Sequence, residues 1–333
     1  MFLMPINIMF ISSLMTGSFI AISSTSWFTA WVGLELNLMS FIPLISSKPL
    51  KTISEAAIKY FLIQALGSSI IIMSSCFMMM FQNMALILIL LALILKMGAA
   101  PFHLWFPQVM EGIMWPQAII LMTIQKLAPM YLLSYLMEQN LIINIIIISS
   151  IISSVMGSLG GINQILLRKI MAYSSINHMA WMMSAMMISE KAWIMYFFFY
   201  SMISLSLILL FHFNKINHLS QIVNLTFYPN FMTFTLPLSL LSLGGLPPFA
   251  GFIPKWILIQ YFLSMKMYFL LFFLLTSTLV TLYFYTRIFI TMIIMTPNMK
   301  WIVKKNMISS NYAAMIMYFN MFSLTIPSLY LMI

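Results

Sequence analysis

Residues 84–107 read MALILILLALILKMGAAPFHLWFP, and this stretch decides the fold. An unbroken apolar run ends at Lys96, and Gly98 and Pro101 then interrupt the helical pattern. The hydrocarbon core of a bilayer is about 30 Å thick and needs about 20 mostly apolar residues per helix. Proline removes a backbone hydrogen bond, and freed backbone groups are tolerated at membrane depth only inside protein or beside water. The stretch therefore predicts a broken membrane-spanning helix with a lysine next to the break.

The same pattern returns later in the chain. Residues 98–107, GAAPFHLWFP, match residues 245–254, GLPPFAGFIP, position by position. Five predicted helices separate the two copies, so the copies have opposite topology. Inverted repeats with paired Gly/Pro-interrupted helices are typical of secondary transporters, and two proline kinks with chance similarity are the alternative. The predicted helix-break residues are Gly98, Pro101, Gly244, Gly245, Pro247 and Pro248.

The composition excludes a water-soluble globular protein. Only 6% of the 333 residues are charged and 63% are hydrophobic, whereas about 25% of the residues in a soluble domain are charged. The net charge of +10 comes from scattered residues, so the dense basic stripe of a nucleic-acid-binding protein is missing. The single cysteine, Cys76, excludes a disulfide framework and a cysteine-rich metal site. The chain also begins in its first apolar segment without a charged leader, so we expect no cleavable signal peptide.

Apolar segments of spanning length occupy most of the chain. We therefore predict an all-α, polytopic transmembrane bundle of about eleven helices, forming one integral membrane domain over residues 1–333. Two inverted five-helix repeats, 1–138 and 141–294, each contain a broken helix, and a C-terminal helix follows at 310–331. The eleven segments are 3–22, 25–45, 54–80, 84–107, 113–138, 141–164, 168–188, 191–213, 233–264, 267–294 and 310–331.

The basic residues collect in one set of connecting loops. Membrane proteins place the lysine- and arginine-rich loops on the cytoplasmic side, or on the matrix side in an organelle. We therefore expect the N-terminus on that side and the C-terminus on the opposite side. One set of loops carries Lys48, Lys51, Arg168, Lys169, Lys215, Lys300, Lys304 and Lys305, and the other carries Lys191 and Lys266 with Glu138 and Glu190.

Four charged residues lie far from the predicted helix ends: Glu35, Lys96, Lys126 and Lys255. Each charge at mid-bilayer costs at least about 2.5–3.5 kcal/mol on insertion scales, so we interpret the four as functional. Lysine can load and release a proton, whereas arginine stays charged. The pattern indicates a series of protonatable sites within the membrane. A buried ion pair that only fixes helix packing is the alternative.

Two histidines join these candidates with weaker support. His103 follows the first helix break and His178 lies in a polar segment near mid-membrane; each is equally well explained as a packing residue. The histidines do not show the spacing of a metal site, and no cofactor motif is present, so we predict neither a metal nor a cofactor in this chain.

Several blocks of the sequence resemble one family. These blocks are TAWVGLELNLMSFIPL, EAAIKYFLIQALGSS, LKMGAAPFHLWFPQVMEG, IQKLAPM, GGINQILLRKIMAYSSINHMAWM and SLGGLPPFAGFIPKW, and they extend from about residue 25 to residue 265. They resemble the NADH-ubiquinone oxidoreductase chain 2 family, the mitochondrial antiporter-like membrane subunits of respiratory complex I. The Met- and Ile-rich, Asp-free composition is similar to that of insect and other arthropod versions.

The resemblance implies a role for each matching residue. Glu35, Lys96, Lys126 and Lys255 match the acidic and basic residues of the family's hydrated mid-membrane axis, and His103 and His178 fall in matching blocks. It implies proton translocation driven by quinone reduction elsewhere in the complex, so the chain would belong to an enzyme without carrying its redox site. NADH, FMN, iron–sulfur clusters and ubiquinone would bind to other subunits.

The expected location is the mitochondrial inner membrane, with the C-terminus in the intermembrane space. The expected partners are neighbouring antiporter-like and small membrane-arm subunits, and lipids, with cardiolipin a candidate near the basic loops; we expect no nucleic acid. Two other functions share these features: a free-standing cation/proton antiporter, and a membrane scaffold or assembly subunit without its own proton path.

Overall fold

The computed structural model describes residues 5–47, 50–222, 230–247 and 249–294. Within these residues the chain is built from α-helices, which confirms the predicted all-helical class. The helices before residue 139 are α1 (Pro5–Ile22), α2 (Trp27–Ile45), α3 (Lys51–Phe77), α4 (Gln82–Met97), α5 (Trp105–Gly112), α6 (Trp115–Met122) and α7 (Ile124–Ser134). The later helices are α8 (Asn140–Gly161), α9 (Leu167–Met186), α10 (Glu190–Asn214), α11 (Leu219–Ile222), α12 (Asn230–Gly244), α13 (Phe252–Ser264) and α14 (Tyr268–Ile294).

The chain divides into two compact units within helix α8. The first unit ends at Ser153 and the second begins at Ser154. The predicted repeat boundaries, 1–138 and 141–294, stay a prediction, as does the count of eleven spans. The predicted C-terminal helix at 310–331, Pro248 and the basic residues Lys48, Lys300, Lys304 and Lys305 lie outside the described residues.

Six of the described helices have the length and composition to cross a membrane. Each exceeds 17 residues and carries few charges, so its apolar side chains match the hydrocarbon thickness. They are α1, α2, α3, α8, α10 and residues Tyr268–Thr291 of α14. Three of the predicted spans, 84–107, 113–138 and 233–264, are each divided into two shorter helices. These divided spans carry Lys96, Lys126 and Lys255.

Helices α1 and α2 pack against each other through glycine. A Cβ atom at Gly33 would lie 2.6 Å from the backbone nitrogen of Ala21 and 2.7 Å from the carbonyl oxygen of Gly17. Small residues at such crossings let two membrane helices approach until their backbones touch. Helix α2 carries Glu35, so this contact fixes the backbone of the element that presents the candidate carboxylate.

The loop before α9 in the second unit is held by two neighbouring segments. Leu166 forms an isolated antiparallel bridge with His218, and the guanidinium of Arg287 donates to the carbonyl of Ile162 over 3.1 Å. Arg168, Lys169 and Lys215 flank these contacts in the chain. Basic residues from three separate segments therefore converge at one end of this unit.

Replacing Gly33 with leucine tests the close packing of α1 and α2. The new side chain would meet backbone atoms that cannot rotate away, and overpacking of this kind costs about 1–3 kcal/mol. We expect Gly33→Leu to lower the midpoint of thermal unfolding of the purified protein in detergent. Phe28→Val changes a position on the same helix that is 63% exposed and should leave the midpoint nearly unchanged. Equal midpoints for both variants would contradict the packing described here.

Candidate functional site

Glu35 lies at the middle of helix α2 and is partly buried. One of its carboxylate oxygens, Oε2, is buried without a hydrogen-bond partner among the described residues. Its charge acts on the Lys96 ammonium and on the hydroxyl of Tyr60. Glu35 and Lys96 are therefore close enough in the first unit for their charges to interact.

Lys96 lies in the last turn of helix α4 and is only 6% exposed. Its aliphatic chain crosses Gly67 of helix α3, where an added Cβ atom would lie 3.0 Å from the lysine Cγ. The side-chain amide of Gln64, also on α3, donates to the backbone carbonyl of Lys96 over 3.1 Å. Helix α3 therefore holds both the backbone and the side chain of this lysine.

The first helix break follows Lys96 directly. Gly98 ends helix α4 in the left-handed conformation, with φ at 71°, which glycine adopts without steric cost. The amides of Gly98 and Ala99 donate to carbonyls of the last turn, and the indole of Trp105 donates to the carbonyl of Leu95 over 3.0 Å. Pro101 lies in the turn that leads to α5. The break is thus a closed, hydrogen-bonded cap that fixes α5 against the end of α4.

His103 lies in the turn between α4 and α5 and is 4% exposed. Its Nδ1 atom is buried and makes no hydrogen bond with the residues that the structure describes. His103 thus shares the first break with Lys96, in the first unit.

Lys126 lies in the first turn of helix α7 and is 2% exposed. Its ammonium nitrogen is 4.6 Å from the centre of the Phe106 ring, within the range of a cation–π interaction. Phe106 belongs to α5, the helix that follows the first break. The break and the second candidate lysine are therefore in contact through this ring.

The predicted span 113–138 is not one helix, because it is interrupted at Thr123 between α6 and α7. The Thr123 hydroxyl donates to the carbonyl of Ile119 over 2.7 Å, a bond that bends helices. The amide of Lys126 reaches only three residues back, to the Thr123 carbonyl. No glycine or proline stands at Thr123 itself, but Pro129 inside α7 leaves the carbonyl of Gln125 without its helical donor.

Lys255 lies near the start of helix α13 in the second unit and is 6% exposed. Its ammonium donates to the carbonyl of Gly244, the last residue of α12, over 2.7 Å. Gly245 has φ at 80°, and a Cβ atom there would lie 2.9 Å from both Cδ and Nζ of the lysine. Helix α12 ends at Gly244 and α13 begins at Phe252, and Lys255 caps the end of α12.

His178 lies on helix α9 and belongs to a buried polar cluster in the second unit. Its Nδ1 atom and the Tyr196 hydroxyl share a hydrogen bond of 2.9 Å, and the Tyr200 ring lies 5.1 Å from the imidazole. The Ser277 hydroxyl donates to the neighbouring Asn177 over 3.0 Å. His178 therefore has a packing and hydrogen-bonding role in this structure, which is compatible with either interpretation of the sequence.

Comparison with known proteins places the chain in a family. A family model described as NADH:quinone oxidoreductase/Mrp antiporter, TM, matches residues 24–85 and 80–281. The NADH-ubiquinone oxidoreductase chain 2 of Anopheles gambiae is 44% identical over 96% of this chain and 95% of its own length. That of Aedes aegypti is 46% identical over 96% of this chain and 94% of its own length.

The chain belongs to the NADH-ubiquinone oxidoreductase chain 2 family. This confirms the resemblance seen in the sequence, including its similarity to insect members. A solved structure titled respiratory complex I from Thermus thermophilus with bound aureothin contains a chain with the same fold, at a TM-score of 0.82 and 21% identity. The match covers 96% of this chain and 77% of the bacterial one.

Two features of the site in this family member could not be read from the sequence. The ring of Phe106 under Lys126 depends on how α5 folds back after the break, and the interruption falls at Thr123, six residues before Pro129. Among the residues that the structure describes, no three His, Cys, Asp or Glu side chains form a group that could hold a metal ion.

Gly245→Ala tests the second break. The alanine methyl group would require a left-handed backbone at φ 80° and would displace the Lys255 side chain from the Gly244 carbonyl. We expect a loss of about 1 kcal/mol from the backbone conformation, with more from the broken cap, and hence a lower midpoint of thermal unfolding. Leu263 lies on α13 and is 49% exposed, and Leu263→Ala serves as the control. An unchanged midpoint for Gly245→Ala would contradict this account of the cap.

Proposed function

We propose that this chain is a core membrane-arm subunit of proton-pumping NADH:ubiquinone oxidoreductase and that it carries protons along a mid-membrane axis of Glu35, Lys96, Lys126 and Lys255. One observation carries the proposal: three lysines, each at most 6% exposed, lie next to interruptions of membrane helices. Membership in this family indicates that the complex is NADH:ubiquinone oxidoreductase. Quinone reduction in other subunits would supply the energy.

The mechanism is electrostatic and begins in the first unit. A change in the charge of Glu35 alters the electrostatic field at Lys96, because the carboxylate acts on the ammonium through space. Lys96 lies in the last turn of α4, where the negative end of the helix dipole favours a cation. Lys96 can therefore hold a proton while Glu35 is charged and give it up more readily when Glu35 is neutralised or moves away.

The later steps involve Lys126 and Lys255. Lys126 receives a proton when the charge state of Lys96 permits, and exchanges it with Lys255. The Gly244 carbonyl that accepts the Lys255 ammonium stabilises the protonated form, since hydrogen bonds to charged groups are the strong ones. His103 and His178 are proposed as secondary members of the axis.

The proposal also covers the number of membrane spans, the orientation of the termini, the partner subunits and the lipids. It comprises about eleven spans in two inverted repeats with a C-terminal helix, the N-terminus in the matrix, the C-terminus in the intermembrane space, and NADH, FMN, iron–sulfur clusters and ubiquinone bound by other subunits. Neighbouring antiporter-like and small membrane-arm subunits are the proposed partners. Anionic lipids would bind at the basic end formed near Arg168, Lys215 and Arg287, because clustered cations attract anionic headgroups.

A free-standing cation/proton antiporter is the second candidate, because the matching family model covers Mrp antiporters as well. Purification under mild conditions distinguishes the two. Co-isolation with flavin- and iron–sulfur-containing subunits supports the complex I assignment, whereas transport by the chain alone in liposomes supports the antiporter.

Substitution of Lys126 tests the proton path against a scaffold role. We expect Lys126→Ala to permit assembly but to lower turnover by at least about tenfold, since a positioned proton-transfer group contributes about 10²–10⁴-fold. Lys126→Arg should fail similarly, because arginine keeps its proton. Lys191 is exposed, and Lys191→Ala is the control. Normal turnover with a normal proton-to-electron ratio in Lys126→Ala, or full pumping in Lys126→Arg, would refute the role.

The single cysteine tests the proposed orientation. Cys76 is exposed near the end of α3, opposite to Lys51, which begins this helix on the proposed matrix side. A membrane-impermeant maleimide should therefore label Cys76 from the intermembrane-space side of intact inner membranes. Ser46→Cys in a Cys76→Ser background places the thiol at the other end of the membrane and should react only from the matrix side. The reverse pattern would invert the topology.

A further inference from the structure

We propose that Phe106 is a positioning residue for proton transfer, because its ring holds the Lys126 ammonium and links it to the helix break after Lys96. The inference rests on the proposed function and adds to it a residue that cannot itself exchange protons. Because the phenylalanine side chain is uncharged, a search for charged residues in the membrane would not identify Phe106.

The geometry brings a cation and an aromatic face together away from water. The Lys126 ammonium is 4.6 Å from the centre of the ring, and Lys126 and Phe106 are 2% and 1% exposed. Cation–π attraction is strongest when both groups are desolvated. The ring therefore favours the charged form of the lysine without competing for its proton as a carboxylate would.

The ring is held in place by the break. A Cβ atom at Gly98 would lie 3.0 Å from the Phe106 Cβ and 3.3 Å from its Cδ2, so the ring packs directly on the glycine that ends α4. The amide of Phe106 donates to the His103 carbonyl over 3.1 Å. The preceding residue, Trp105, is tied to the carbonyl of Leu95. Any change of conformation at Gly98 consequently moves the ring relative to Lys126.

The titratable groups near Lys126 come from few elements. Helices α1, α2, α4 and α6 pack against α7; α2 contributes Glu35, α4 contributes Lys96, and α1 and α6 carry no titratable side chain. Helix α5, which supplies Phe106, carries Glu111 in its last turn, and His103 precedes it. Phe106 contacts the Lys126 ammonium, so a movement at the break would change the surroundings of Lys126 directly.

The test is a graded series at Phe106 in the assembled complex, reconstituted in proteoliposomes. Phe106→Leu removes the ring and keeps an apolar side chain, Phe106→Tyr keeps a ring, and Phe106→Trp supplies the aromatic side chain that binds cations best. Proton pumping is measured as a function of pH, and native gels measure the amount of assembled complex. Phe102→Leu changes a neighbouring phenylalanine that is 40% exposed and is the matched control.

We expect the pH at which pumping is half-maximal to fall by about one unit in Phe106→Leu, because the lysine then loses its proton at lower pH. Phe106→Tyr should keep the original profile, Phe106→Trp should shift it to higher pH, and Phe102→Leu should not shift it. A purely structural role would reduce assembly without moving the profile of the complex that remains.

Two outcomes overturn the proposal. One is an unchanged pH profile in assembled Phe106→Leu, and the other, which applies even if that variant fails to assemble, is an unchanged profile in Phe106→Trp. The Lys126→Ala variant distinguishes a refutation of the role of Phe106 from a refutation of the proposed function. If Lys126→Ala abolishes pumping while the Phe106 series has no effect, only the role of Phe106 is refuted; if Lys126→Ala pumps normally, the proton path itself is refuted.

Discussion

A lysine ammonium within a membrane requires a favourable partner, and the described structure is organised around this requirement. Each of the three buried lysines meets it differently. Lys255 donates to a free carbonyl at a helix end, Lys126 lies over an aromatic ring, and Lys96 interacts with a carboxylate. At the second break, a continuous helix would bond the Gly244 carbonyl internally and would leave no acceptor there for Lys255.

The two breaks share a sequence pattern, but the lysine comes before the glycine in one and after it in the other. Lys96 precedes the first left-handed glycine, Gly98, whereas Lys255 follows the second, Gly245. When the two stretches are aligned, Leu243 corresponds to Lys96 and Gln108 corresponds to Lys255. The two stretches therefore share the backbone cap, and they differ in where the lysine lies relative to that cap.

The sequence was sufficient for features that depend on local chemistry. Gly98 and Gly245 lie three and two residues before a proline within an apolar run, a pattern that predicts an interrupted helix, and the lysines stand out because of the cost of a charge in such a run. The contact between Phe106 and Lys126 depends on the direction in which α5 leaves the break, which the sequence does not encode locally. The interruption at Thr123 depends on a hydroxyl bonding its own helix, which many threonines do without breaking a helix.

The glycine contact between α1 and α2 has a consequence for time. Because the backbones of these helices touch at Gly17 and Gly33, Glu35 stands on a stiff support and moves its charge by rotating its own side-chain torsions. Side-chain rotations are local, whereas collective helix movements take about microseconds to milliseconds. In the proposed cycle the carboxylate can therefore respond without waiting for α1 and α2 to move.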